Sequence, residues 1–153
     1  MFWNRDVPDD NAGRLFEDYC LRFLSQVNAV RSPEQTIAVD GLIITKTPDI
    51  MVEDQTGARA TVECKWGSAQ LSPDQYRYYL SLRNFEPVFV LRGDGTDPSC
   101  PDSLYLISID RMDGPHVNLD TIAACRIRKT DVIRSVSQLE AMAEPHFSKF
   151  PKR

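Results

Sequence analysis

The 153-residue sequence has no apolar run near the roughly 20 residues that cross a bilayer, and its opening MFWNRDVPDD lacks the basic start and apolar block of a secretory leader. Both absences lead to the expectation of a cytoplasmic protein with no membrane association. The four cysteines (Cys20, Cys64, Cys100, Cys125) form no C-x-x-C pair, and only His116 and His146 could join them. A zinc site is therefore not expected, and reduced, partly buried thiols are. Positive charge is not in surplus either: 18 Lys and Arg against 22 Asp and Glu give a net charge of −4 and a pI near 5.2, unlike a general nucleic-acid coat protein. Repeats, low-complexity tracts and linkers are absent. One domain over residues 1–153 is expected, with 1–10 and 145–153 as loose termini.

What is present is a core and a biased distribution of acid. Hydrophobic residues make up 42% of the chain, with seven Phe, five Tyr and two Trp, enough to furnish an interior. Residues 1–70 carry 11 acidic and 7 basic side chains, whereas 71–153 carry 11 of each. A bound divalent cation would offset part of the excess in the first half.

Hydrophobic periodicity orders the elements. Leu15, Phe16, Tyr19, Cys20, Phe23, Leu24 and Val27 recur at spacings of three and four, which predicts one apolar helical stripe, with Asn11 as its N-cap. Gly13 and Glu17 fall at the edge of that stripe, between core and cleft. IAVDGLIIT (37–45) reads as a strand pair broken at Asp40-Gly41, where Asp40 suits a turn better than a metal site. Two strands follow in TPDIMVEDQTGARATVECKW. Ser72 and Pro73 open a second helix, LSPDQYRYYLSLR. EPVFVLR and DSLYLISID read as central strands, and Thr130 caps a last helix, TDVIRSVSQLEAMAE. This alternation predicts an α/β fold, a mixed sheet with helices on both faces.

The chemistry is concentrated in residues 47–66. Strand side chains alternate between faces, so Glu63 and Lys65 point one way and Val62, Cys64 and Trp66 the other. If the hairpin turns through Asp54–Ala58, Asp49 opposes Glu63, Ile50 opposes Val62, Met51 opposes Thr61 and Val52 opposes Ala60. One face then gathers Asp49, Glu63 and Lys65 and the other is apolar, and a one-residue slip would push an acid into the core. Opposed carboxylates repel unless a proton or a cation lies between them. Magnesium accepts one or two such oxygen ligands together with water and phosphate oxygens. Lys65 would neutralise charge on the phosphate or orient the attacking water, a set suited to phosphodiester hydrolysis. The competing structural reading is a solvated hairpin face with a cross-strand salt bridge.

Pro48-Asp49 followed by Glu63-Cys64-Lys65 resembles the signature of the PD-(D/E)XK nuclease superfamily. GRLFEDY, with Gly13 and Glu17, is similar to the helix-borne acid of many members. Gln75 and Tyr79 resemble the Gln-x-x-x-Tyr element of some exonuclease-type branches. The local text is most similar to the Mrr-like and Holliday-junction-resolvase-like branches, over roughly residues 12 to 92. The resemblance implies a restriction-endonuclease-like fold and a Mg2+-dependent endonuclease acting on DNA, with Mn2+ as a substitute. It also implies that Asp49, Glu63 and an auxiliary Glu17 hold the metal and that Lys65 is the catalytic lysine.

The remaining candidates carry two readings each. Gln75 and Tyr79 would contact substrate or simply pack on a surface helix. Arg77, and Arg126 with Arg128 if CRIRK is extended, would hold phosphates or form a solvated charged face. Trp66, Tyr76, Tyr78 and Phe85 would stack on bases, or more economically fill the core. Two other functions compete with catalysis: a silent member of the same fold that binds nucleic acid or serves in assembly, and a protein-interaction domain. No separate recognition domain fits in the length, so specificity would come from a partner, a homodimer or a structural cue such as a branch or an end.

Overall fold

The computed structural model describes residues 9–54 and 56–137. Helix α1 (Asp9–Leu24) leads through a 3-10 turn (Ser25–Val27) into strand β1 (Ala29–Arg31). Next come a hairpin, β2 (Gln35–Val39) and β3 (Leu42–Lys46), and then β4 (Ile50–Glu53) and β5 (Arg59–Trp66). Helix α2 (Pro73–Leu82) crosses to β6 (Val88–Asp94). The chain continues through β7 (Ser103–Ser108), α3 (Leu119–Ala124), β8 (Arg126–Ile127) and α4 (Lys129–Ser137). Six strands form one sheet in the order β1-β4-β5-β6-β7-β8, and β2-β3 form a separate two-stranded sheet. Only the β5–β6 pair is parallel among the strand pairs of the described residues. A parallel pair needs a crossover, and α2 supplies it.

The sheet is covered on both faces, as the alternation of elements predicts. On one side Phe16, Cys20 and Leu24 of α1 pack with Ile50, Val52, Val62 and Trp66. On the other, Tyr78, Tyr79 and Leu82 of α2 pack with Val88, Val90, Ile107 and Ile109. At Gly93 the Phe16 ring stands 2.4 Å from where a Cβ would lie. The helix therefore rests directly on the backbone of β6.

Several boundaries differ from the sequence expectation. Asn11 is not the cap of α1, which begins at Asp9, and Thr130 lies within α4 rather than before it. In each case the run of acids or cations ahead of the apolar stripe continues the helix. The segment CRIRK is extended only at Arg126–Ile127 before α4 begins. The strand pair at 37–45 is a hairpin closed by Asp40 (φ 51) and Gly41 (φ 82), the two positive φ values of a type I′ turn. The expected loose ends lie outside the described residues, apart from the start of α1. Among the described residues no helix is long and apolar enough to cross a membrane.

Candidate active site

The β4–β5 hairpin has the register its hydrophobic pattern demands: Ile50 pairs Val62, Met51 pairs Thr61, Val52 pairs Ala60 and Glu53 pairs Arg59. Asp54 closes the loop by accepting from the backbone amides of Thr56 and Ala58. Ile50, Val52 and Val62 are at most 1% exposed, which fixes the apolar face. The opposite face is therefore committed to Glu63 and Lys65, and Asp49 stands just before β4.

Asp49 is tied to the returning strand: its Oδ2 accepts from the Cys64 backbone N–H at 2.7 Å. Glu63 is 4% exposed. The Tyr79 hydroxyl donates to Glu63 Oε1, and Glu63 Oε2 takes Gln75 Nε2 at 3.4 Å and Lys65 Nζ at 3.5 Å. Lys65 Nζ also donates to Gln75 Oε1 at 3.3 Å. Gln75 and Tyr79, one turn apart on the crossover helix, thus face the same carboxylate. The sequence placed them on a helix, but the βαβ crossover is what brings them over Glu63.

Glu17 of α1 completes the group from the other side. The charge of Asp49 acts on Glu17, and Arg31 on β1 donates to both Glu17 and Asp18. All three carboxyls are pushed up from their ordinary values. Glu17 rises from 4.5 to about 7, through burial first and then the Asp49 charge. Asp49 rises through burial and the Glu63 charge, against the Cys64 amide, and Glu63 rises through burial despite the hydroxyl of Tyr79 and the charge of Lys65. The Tyr79 phenol is driven far above its usual range, so it stays a proton donor.

An inner pair of acids with too little compensating charge could hold a hard divalent cation. Among the described residues no group of three or more His, Cys, Asp or Glu side chains is placed to hold a metal ion, whereas magnesium needs only one or two carboxylates with water in the remaining positions. The inner pair, Asp49 and Glu63, offers those oxygens. Glu17, engaged by Arg31, stands outside it.

Other sequence candidates lie apart. Arg77 is exposed on α2 and pairs with Asp74 at 3.0 Å. Arg126 and Arg128 do not share a strand face, because β8 ends between them. They line a cavity of about 660 Å³ with Tyr19, Ser103, Lys129 and Asp131, three strands from β5. Trp66 and Tyr78 are core residues, 7% and 0% exposed, and Tyr76 bonds the Met112 carbonyl. Sequence reasoning missed Arg31 and Arg92. Arg31 belongs to a three-residue strand without a periodicity signal, and Arg92 reads as the end of an apolar run.

Among solved structures the chain is similar to Hjc, a Holliday junction resolvase from the archaeal hyperthermophile Archaeoglobus fulgidus. The TM-score is 0.51 and the identity 17%, over 80% of this chain and 95% of the resolvase. The chain has the fold of that resolvase. The sheet with a helix on each face is thus the restriction-endonuclease-like architecture that the PD-(D/E)XK resemblance implied. The chain also aligns with the crystal structure of SSO0001 at a TM-score of 0.47 and 16% identity, over 95% of this chain and 71% of that one. No protein-family model and no curated protein matches the sequence.

Proposed function

We propose that the chain is a Mg2+-dependent nuclease that hydrolyses phosphodiester bonds in DNA as an endonuclease. The observation that carries this reading is the convergence of Asp49, Glu63 and Lys65 at one end of the β4–β5 hairpin, with Glu63 buried and Lys65 Nζ 3.5 Å from it. The resolvase fold supports it, because the chain shares that fold over 80% of its length.

Asp49 and Glu63 would hold the metal, with Glu17 as an auxiliary group, and Mn2+ would substitute. When bound, the ion supplies charge stabilisation at the phosphoryl oxygens and acidifies water. The side chains do the rest. The Cys64 amide fixes the direction of Asp49, and Tyr79 and Gln75 fix Glu63. Lys65, 15% exposed, presents an ammonium group to the phosphate or the attacking water, where preorganised charge acts without reorganising during the reaction. Gln75 binds Lys65 and Glu63 at once and so keeps cation and carboxylate in a fixed relation. A single centre cuts one strand, so cleavage of both strands calls for a homodimer or a partner that also supplies target recognition.

The test is cleavage of labelled DNA in magnesium by the parent and by Asp49→Ala, Glu63→Ala and Lys65→Ala. Each variant is expected to lose at least about a hundredfold in rate while keeping its circular dichroism spectrum, and chelator is expected to abolish cleavage. Variants that digest DNA as fast as the parent would overturn the reading.

A further inference from the structure

The face of the sheet that carries Lys65 holds another cation that the chemistry above does not use. Arg92 pairs with Lys65 in the parallel register of β5 and β6, which sets both side chains on one face of strands roughly 4.8 Å apart. Arg92 is 3% exposed, and no carboxylate among the described residues lies within ion-pair distance of it. Its Nη1 donates to the Gly67 carbonyl and its Nη2 to Gln70 Oε1 at 3.1 Å, while Nε has no partner. A guanidinium buried without a counter-charge is expensive. Burial lowers its affinity for the proton, and the charge of Asp94 opposes this only in part.

Both acceptors belong to the turn Gly67–Gln70, which leaves β5 two residues beyond Lys65. The inner side of the turn is tied down: Gly67 N–H donates to the Gly93 carbonyl at 2.7 Å, and Ala69 N–H to the Trp66 carbonyl at 3.2 Å. Gln70 Oε1 also takes the Val117 amide at 3.4 Å. The outer side is open. Ser68 and Ala69 are exposed, and Ser68 makes no hydrogen bond with any described residue. A hydroxyl and an amide are thus offered to solvent above an uncompensated positive charge.

We propose that the turn Gly67–Gln70, held from below by Arg92, is a second phosphate seat for the substrate strand, with Ser68 touching the phosphate and Arg92 as the positioning residue that supplies the charge. The identity of the anion rests on the nuclease reading. Ser68 follows Lys65 by three residues, a reach of at most roughly 10 Å, so the seat takes a backbone phosphate close to the one that is cut. A strand that binds there is held next to the scissile bond as well as at it.

The experiment measures equilibrium binding of a fluorescently labelled DNA duplex across a salt series, together with steady-state cleavage, for the parent, Arg92→Met, Arg92→Lys, Ser68→Ala and Ser68→Asp. Arg92→Met removes a buried charge but strands the Gly67 carbonyl and Gln70 Oε1, so it is expected to melt somewhat below the parent, and the exposed Ser68 variants serve as the stably folded control. Arg92→Met should bind about tenfold more weakly, with the slope of log K against log salt reduced by roughly one, and raise KM more than it lowers kcat. Arg92→Lys should recover part of the salt slope. Ser68→Asp, at an exposed position that cannot disturb the core, should weaken binding further than Ser68→Ala. The proposal is overturned if Ser68→Asp and Arg92→Met bind and cleave like the parent, or if Arg92→Met merely lowers the melting temperature with the salt slope intact. A parent that binds DNA with these dependences but never cuts it would sink the nuclease reading and leave the phosphate seat standing.

Discussion

Glu63 is a carboxylate that water cannot solvate, so each of its oxygens depends on a protein donor or a cation. Tyr79 covers one oxygen, and Gln75 and Lys65 cover the other. Removing the phenolic hydroxyl by Tyr79→Phe strands a buried acceptor. Stability is expected to fall by about 1–3 kcal/mol, read as a shift of the urea midpoint at unchanged slope, and cleavage should fall because Glu63 loses its fixed direction. An unchanged midpoint would mean that Tyr79 only packs. At this scale the sequence was informative about identity and less so about partnership. Asp49, Glu63 and Lys65 were legible from alternation and hairpin register. That the Cys64 amide holds Asp49, and that Arg31 holds Glu17, depends on the ends of strands, where no periodic pattern speaks.

Helix α2 shows how an element delivers side chains to a centre it does not contain. Ser72 and Gln75 form a capping box: the Ser72 hydroxyl accepts from the Gln75 N–H, and Gln75 Oε1 accepts from the Ser72 N–H. The same Oε1 takes Lys65 Nζ, so the helix start and the Glu63–Lys65 pair share one amide. Ser72→Ala is expected to cost about 1 kcal/mol in stability and to lower cleavage several-fold by loosening Gln75, checked by denaturant unfolding beside initial rates. A loss of stability with full cleavage would separate the cap from the site. Ser72 and Pro73 announced this helix correctly, since capping is a local preference. The caps assigned to Asn11 and Thr130 failed because polar runs ahead of α1 and α4 leave the helix start undetermined locally. Helix α3 and the short edge strand β1 escaped notice because neither is long enough to show a period, and β8 was raised only as a conditional extension of CRIRK.

Across the whole molecule the acids of the centre set how stability responds to pH. Glu17 moves from 4.5 to about 7 on folding, and Asp49 and Glu63 move the same way, all chiefly through burial. The folded state then holds protons more tightly than the unfolded chain. The resulting stability is fully present below pH 4.5 and is lost as pH rises through about 7. Metal-free protein is expected to melt at falling temperature across that window, each kcal/mol moving the midpoint by about 2–4 °C. Magnesium should raise the midpoint above the window and do little below it, where protons occupy the same oxygens. Thermal melts with chelator and with magnesium at several pH values check this, and a midpoint that climbs with pH in chelator would refute it. The fold class was legible in the order of elements, and the two-sided covering of the sheet follows from its apolar strands. The separation of β2–β3 into its own sheet was not, because a hairpin pattern fixes its own pairing and not its neighbours.

The contact between Phe16 and Gly93 reaches further than packing. Glu17 is the next residue along the helix, so the height at which an aromatic ring settles on bare backbone decides how close an acid on a different element comes to the hairpin. A methyl group at position 93 would press on the buried Phe16 ring and lift the helix like a shim under a hinge, carrying the outermost carboxylate away with it.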